Sequence, residues 1–281
     1  MREIPVQKVT AAVKAALLEM NYDTGPDVAA AVRRAWEGET SPLSRGVLED
    51  ILANHRIAAE RRMAICQDTG MVILFAELGQ ELHFTGGGFE DAVNRGVREA
   101  YAQGCLRKSV VSDPLFDRRN TGDNTPAVIH LRLVPGETLR LHLTAKGFGS
   151  ENMSRVRMMV PADGEEGVLN FLEETVRLAG PNPGPPVVLG VCVGGTLDKA
   201  VQLAKWATLR ELGTPNPDPR YRRLEERALE RINALGIGAG GLGGTATALA
   251  VHIEHYPTHI AGMPVAVNVC CHVARHRTVE L

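Results

Sequence analysis

The chain has 281 residues, a formal net charge of −2, 44% hydrophobic and 23% charged residues. That is enough chain to bury a sizeable core without disulfides or a structural metal. No basic stretch provides an electrostatic footprint for nucleic acid, and no apolar run is long enough to span a bilayer.

The N-terminal stretch "MREIPVQKVTAAVKAALLEM" lacks the apolar core and cleavage site of a signal peptide. A cytoplasmic location is therefore the expectation. Val6, Val9, Val13, Ala16 and Leu17 repeat at helical spacing. Further helices are predicted over 26–39, 44–63 and, after "TGGG", 89–103. Between the last two, "MVILF" opens a strand over 71–78. "PAVIHLRLV" (126–134) and "TLRLHLTA" (138–145) alternate apolar and polar residues around "PGE", which predicts a hairpin. A helix over 165–178, the rigid loop "PNPGPP" and the buried strand "VVLGVCVGG" follow. Thr196 is placed to N-cap the helix "TLDKAVQLAKWATLREL". After "TPNPDPR" come a helix over 222–235 and strands over 245–253 and 264–269. The order predicts an α+β fold, a single domain over 1–281. A helical lobe (1–62) packs on a mixed-sheet lobe with flanking helices (63–281), which holds the chemistry.

Four stretches carry that chemistry. "AICQDTG" (64–70) places a thiol, an amide, a carboxylate and a hydroxyl immediately before a buried strand. "GIGAGGLGG" (236–244) contains G-x-G-x-x-G as Gly238, Gly240 and Gly243. A dinucleotide fingerprint follows a strand and opens a helix. Here a predicted helix precedes it, so a close backbone approach is the better reading. "AKGFGSEN" (145–152) is either an anion-holding turn or a strand-to-helix turn capped by Ser150. "THIAGMPVAVNVCCHVARH" (258–276) gathers His259, Cys270, Cys271, His272 and His276, but without the paired cysteines of structural zinc sites. The five cysteines, Cys66, Cys105, Cys192, Cys270 and Cys271, form no disulfide framework in such a chain. Buried thiols, a metal site and a catalytic thiol all remain open. Cys66, Cys192 and Cys271 each fall beside a predicted strand end, and three thiolates can hold a [4Fe–4S] cluster with one iron open.

"ICQDTG", "LRKSVVSDPL", "NTGDNTPAVIH", "AKGFGSEN", "GVCVGGTLDKA", "GIGAGGLGG" and "HYPTHIAGMPVAVNVCCHVARH" stand in one order along the chain. In that order they resemble class I fumarases and the related tartrate dehydratases, which are iron–sulfur hydro-lyases. The resemblance covers roughly residues 10 to 281. It implies a [4Fe–4S] cluster on Cys66, Cys192 and Cys271, whose open iron acts as the Lewis acid. Cys271 is preferred to Cys270 because it stands five residues before His276. Gln67, Asp68, Arg107 and the backbone at Gly149 are the implied substrate-binding groups. His259 and Asp68 are the implied catalytic side chains. The turn departs from the family's G-G-G-S by having Phe148. The resemblance further implies the α subunit of a two-subunit enzyme, with the general base on a separate β subunit and an α–α dimer giving α2β2. Fumarate/malate is the leading substrate expectation and tartrate the alternative. A cluster-based sensor and a zinc protein are the readings from other classes.

Overall fold

The computed structural model describes residues Met1–Leu281. In chain order its elements are β1 (Arg2–Pro5), α1 (Val6–Tyr22), α2 (Pro26–Gly38), α3 (Pro42–Arg61), β2 (Met71–Gly79), β3 (Leu82–Thr85) and α4 (Phe89–Gln103). Then come β4 (Val128–Val134), β5 (Leu139–Lys146), α5 (Phe148–Glu151), β6 (Arg155–Met159), α6 (Gly164–Ala179), β7 (Val187–Gly194) and α7 (Leu197–Ala207). The last are α8 (Pro219–Asn233), β8 (Ala248–Tyr256), β9 (Met263–Cys270) and β10 (His276–Glu280). The fold is α+β. No helix is long and apolar enough to cross a membrane.

The chain forms two compact units, and the segments of each are discontinuous in sequence. The first comprises Met1–Thr24, His55–Phe148 and Arg275–Leu281; the second comprises Gly25–Asn54 and Gly149–Ala274. Residues 1–62 therefore do not form one lobe: α1 belongs to the first unit, and α2 with most of α3 to the second.

The first unit is built on a four-stranded sheet in the order β10-β5-β2-β4. One face packs against α1 and α4. Val9, Val13, Leu17 and Met20 from α1, with Val93, Val97 and Tyr101 from α4, meet Val72, Leu74, Leu141 and Leu143 of the sheet. The predicted hairpin does not form. β2 lies between β4 and β5, parallel to the first and antiparallel to the second. The reason is burial: Val72 to Ala76 are all buried, which suits a central strand, whereas β4 is largely exposed and takes the edge. "PGE" bridges over the end of β2, and Gly79 is required there because a Cβ would collide with the Gly136 carbonyl oxygen.

The second unit has the sheet order β6-β9-β7-β8, with β7 parallel to β8 and antiparallel to β9. α6 and α8 cover one face through Val168, Leu172, Ala228 and Ile232, which pack on Leu189, Val191, Val251, Ile253 and Val267. On the other face α7 packs Ala200 and Ala204 on Cys192 and Ala266. Val28, Val32 and Leu48 close the end nearest Val188 and Cys270. α7 stops at Ala207, five residues before the predicted end at Leu212, where the Thr208 hydroxyl donates to the Lys205 carbonyl. α8 starts at Pro219 because Asp218 caps it, accepting the Arg220 N–H at 2.8 Å. Strands β1, β3, β6 and β10 have only four or five residues each and were not anticipated from pattern.

Candidate active site

In the first unit, the loop 64–70 joins α3 to β2, and its backbone is anchored at Ile65 and from Asp68 to Gly70. Ile65 N–H donates to the Asn21 carbonyl (2.9 Å). The buried Tyr101 hydroxyl lies 2.8 Å from both the Thr69 and Gly70 carbonyls. Burial pushes the Tyr101 hydroxyl well above its ordinary pKa, so it stays a donor. The Asn124 amide adds a bond to the Gly70 carbonyl (3.1 Å). Asp68 is held from three sides. Its carboxylate accepts the Gly70 N–H (3.0 Å) and the Phe148 N–H (2.8 Å). Its carbonyl accepts from the Arg275 guanidinium (2.8 Å), which also donates to the Asn21 side chain (2.9 Å). The turn at 147–148 thus spends an N–H on the protein's own carboxylate. Two oxygens offer about four lone-pair sites, so Asp68 retains capacity to accept from a ligand.

The same network fixes Arg107. The Thr69 hydroxyl donates to the Arg107 carbonyl (2.9 Å), and Asn124 accepts the Ser109 N–H (2.8 Å). The Arg107 guanidinium is exposed and makes no bond to protein, and Gln67, two residues before Thr69, is exposed as well. Cys66, Gln67, Asp68 and Arg107 are therefore brought into one loop cluster. A free guanidinium fork on an immobilised backbone is suited to a carboxylate ligand. Sequence reasoning missed Asn21, Tyr101, Asn124 and Arg275. Each supports the cluster from an element remote in sequence, and only Asn21, a polar residue on the buried face of α1, gave any signal.

The second unit distributes its expected residues over both ends of its sheet. Cys192 is fully buried in β7 and pairs with Ala266 of β9 and Glu254 of β8. Burial, with Glu254 adding and Lys199 opposing, pushes its thiol up to about 12. Its end of the sheet also carries His259, exposed on the β8–β9 loop, where Nδ1 accepts the Ala261 N–H (3.2 Å). Thr258 ties that loop to the Gly195 carbonyl (2.9 Å). Cys271 follows β9 and is half-buried at the other end. There Nδ1 of His272 lies 3.1 Å from the Gly184 carbonyl oxygen. His259 and Cys271 thus flank a strand of eight residues, roughly 25 Å long at about 3.3 Å per residue. Gly149 is exposed near the loop at Asn182. Within neither unit do three or more His, Cys, Asp or Glu side chains gather as a metal site. Cys192 and Cys271 do not fit a common cluster in this arrangement, because the paired strands hold them at opposite ends.

The glycine loop spends most of its backbone donors on the protein itself. The N–H groups of Gly238, Gly240 and Gly243 donate to Thr247 Oγ1, the Pro185 carbonyl and the Ile237 carbonyl. Helix α8 precedes it and strand β8 follows, the reverse of a dinucleotide fold. The loop packs instead on the buried Glu39, whose carboxylate accepts N–H groups from Thr40, Ser41, Thr245 and Ala246 and the Ser44 hydroxyl. Burial acts to raise the Glu39 pKa, but the hydrogen bonds outweigh it and hold the carboxyl at about 2.

Residues 10–280 match the family model described as fumarate hydratase (Fumerase). A putative L(+)-tartrate dehydratase subunit alpha from Methanocaldococcus jannaschii is 39% identical over 250 residues, covering 87% of each chain. An L(+)-tartrate dehydratase subunit alpha from Escherichia coli K12 is 30% identical over 257 residues, covering 90% of this chain and 84% of the relative. With the match running across both units, the chain belongs to the fumarate hydratase family of hydro-lyases.

Proposed function

We propose that this chain is the α subunit of a two-subunit hydro-lyase that dehydrates a hydroxy-dicarboxylate, with L(+)-tartrate as its substrate. The sequence motifs lean toward fumarate and malate. The relatives that match over most of the chain, however, are named as tartrate dehydratase α subunits, and that observation carries the tartrate reading. Malate/fumarate is the second reading, supported by the description of the family model.

The first unit supplies a binding device for such a substrate. Arg107 pairs with one carboxylate while the Thr69 and Asn124 bonds hold its backbone still. Gln67 offers an amide to the same ligand. Asp68 fixes the loop through Gly70 and Phe148 and orients what lies beside it. Dehydration removes a proton from the carbon next to a carboxylate and expels hydroxide from the neighbouring carbon, so negative charge grows on that carboxylate, and preorganised N–H donors stabilise it. The proton acceptor is expected on the β subunit, and α2β2 is the proposed assembly. Of the three thiols that the resemblance assigns to an iron–sulfur cluster, Cys66 in the first unit and Cys271 in the second are each half-buried.

The test is steady-state kinetics of the anaerobically purified α–β complex on L(+)-tartrate and on malate. A kcat/KM for tartrate well above that for malate is the expected result. The reverse ratio would transfer the reading to malate, and full activity from α alone would sink the two-subunit proposal.

A further inference from the structure

The β7–β9 ladder separates two thiols that the family resemblance assigns to one cluster. Cys192 faces Ala266, and Val188, four residues back along β7, faces Cys270. Those four residues span roughly 13 Å, and Cys271 lies one residue further still. A single cluster is only a few ångströms across, so its thiolates must converge.

Enclosure makes the same point independently. Cys192 is fully buried beneath α7, among Ala200, Ala204 and Ala266, with Leu203 beside them. Helix and strand approach so closely there that a Cβ on Gly190 would collide with the Ala204 carbonyl oxygen. To reach a metal, the thiol would have to lift α7 from its sheet. Its closest packing partners are small apolar groups that offer no further donor. Cys271, in contrast, sits half-buried in a turn closed by the Ala274 N–H on its carbonyl (3.2 Å).

We infer that Cys192 is a packing thiol of the second unit's core and takes no part in an iron–sulfur centre. The expected trio of thiolates thereby loses its middle member. Of the two expected thiolates in the second unit, that leaves Cys271 as the one assigned to a centre. The existence of a centre rests on the hydro-lyase reading; the placement of Cys192 does not.

The experiment takes the full chain with its Cys192→Ala and Cys271→Ala variants through anaerobic iron–sulfur reconstitution. Iron and sulfide per chain are measured, and thiols labelled by iodoacetamide are mapped before and after. Cys192→Ala is expected to hold as much iron as the parent, while Cys271→Ala loses most of it. In the native apo chain, Cys105 is labelled and Cys192 is not. A Cys192→Ala protein that melts like the parent yet loses its iron would overturn the inference. So would a Cys192 that is labelled in the apo chain and protected by reconstitution. If Cys192→Ala does not fold, Cys192→Val keeps the packing volume and is read in the same way. If the parent takes up no iron at all, the cofactor expectation fails, and labelling alone decides. An unlabelled Cys192 supports the packing role, and one labelled as fast as Cys105 refutes it.

Discussion

Two loops in this molecule look equally eventful in sequence and behave in opposite ways. The loop 64–70 has its backbone held by Tyr101, Asn124, Arg275 and Asn21, while Gln67 and the neighbouring Arg107 are left free at the surface. The glycine loop 236–244 turns its N–H groups inward, onto Thr247 and nearby carbonyls, and wraps Glu39. A loop that spends most of its donors on the protein itself is a structural joint. A loop whose backbone is satisfied but whose polar side chains are not is prepared for a ligand.

Arg107→Ala breaks the comparison most severely. It removes a charge-assisted pair with substrate while leaving the fold alone, so kcat/KM of the α–β complex should fall roughly 100-fold with an unchanged melting temperature. A fall in melting temperature instead would make Arg107 a structural residue. Glu39→Gln should do the opposite, sparing substrate affinity and reducing stability by on the order of 2 kcal/mol in denaturant titrations. Its folded pKa is depressed from 4.5 to about 2. Its contribution is therefore fully present above about 4.5 and lost as pH falls toward 2. The parent should lose stability through that window more steeply than the variant, and parallel pH profiles would count against the hydrogen-bonded carboxylate.

Smaller changes test how far backbone order supports the free side chains. Tyr101→Phe removes the one hydroxyl donor that the Thr69 and Gly70 carbonyls share, leaving Gly70 to Asn124, and should cost about 1–2 kcal/mol of stability. Thr69→Val removes one hydrogen bond to the Arg107 carbonyl, about 1 kcal/mol. It should raise KM by a few-fold more than it lowers kcat, whereas a purely structural Thr69 would leave KM where it is.

Much of this was legible along the chain, because the signals are local. The repeat of Val9, Val13 and Leu17 specifies the buried face of α1, and the apolar run after Gly70 specifies a central strand. The order of the motifs pointed to the family, and the adjacency of Gln67 and Asp68 to a strand end marked the loop cluster. Pairing was not legible. The hairpin signal over 126–145 is a local pattern, and the competing partner β2 lies fifty residues upstream. The glycine loop's partner Glu39 lies about two hundred residues away. Cys192 and Cys271 illustrate the limit most sharply. Sequence determined that each lies at or beside a strand, since alternation and burial are written residue by residue. Only the tertiary structure decided that those strands run antiparallel, with one thiol under α7 and the other beyond the far end of β9. Strand direction and register follow from which apolar faces can be buried together, and that is a property of the assembled sheet rather than of any segment within it.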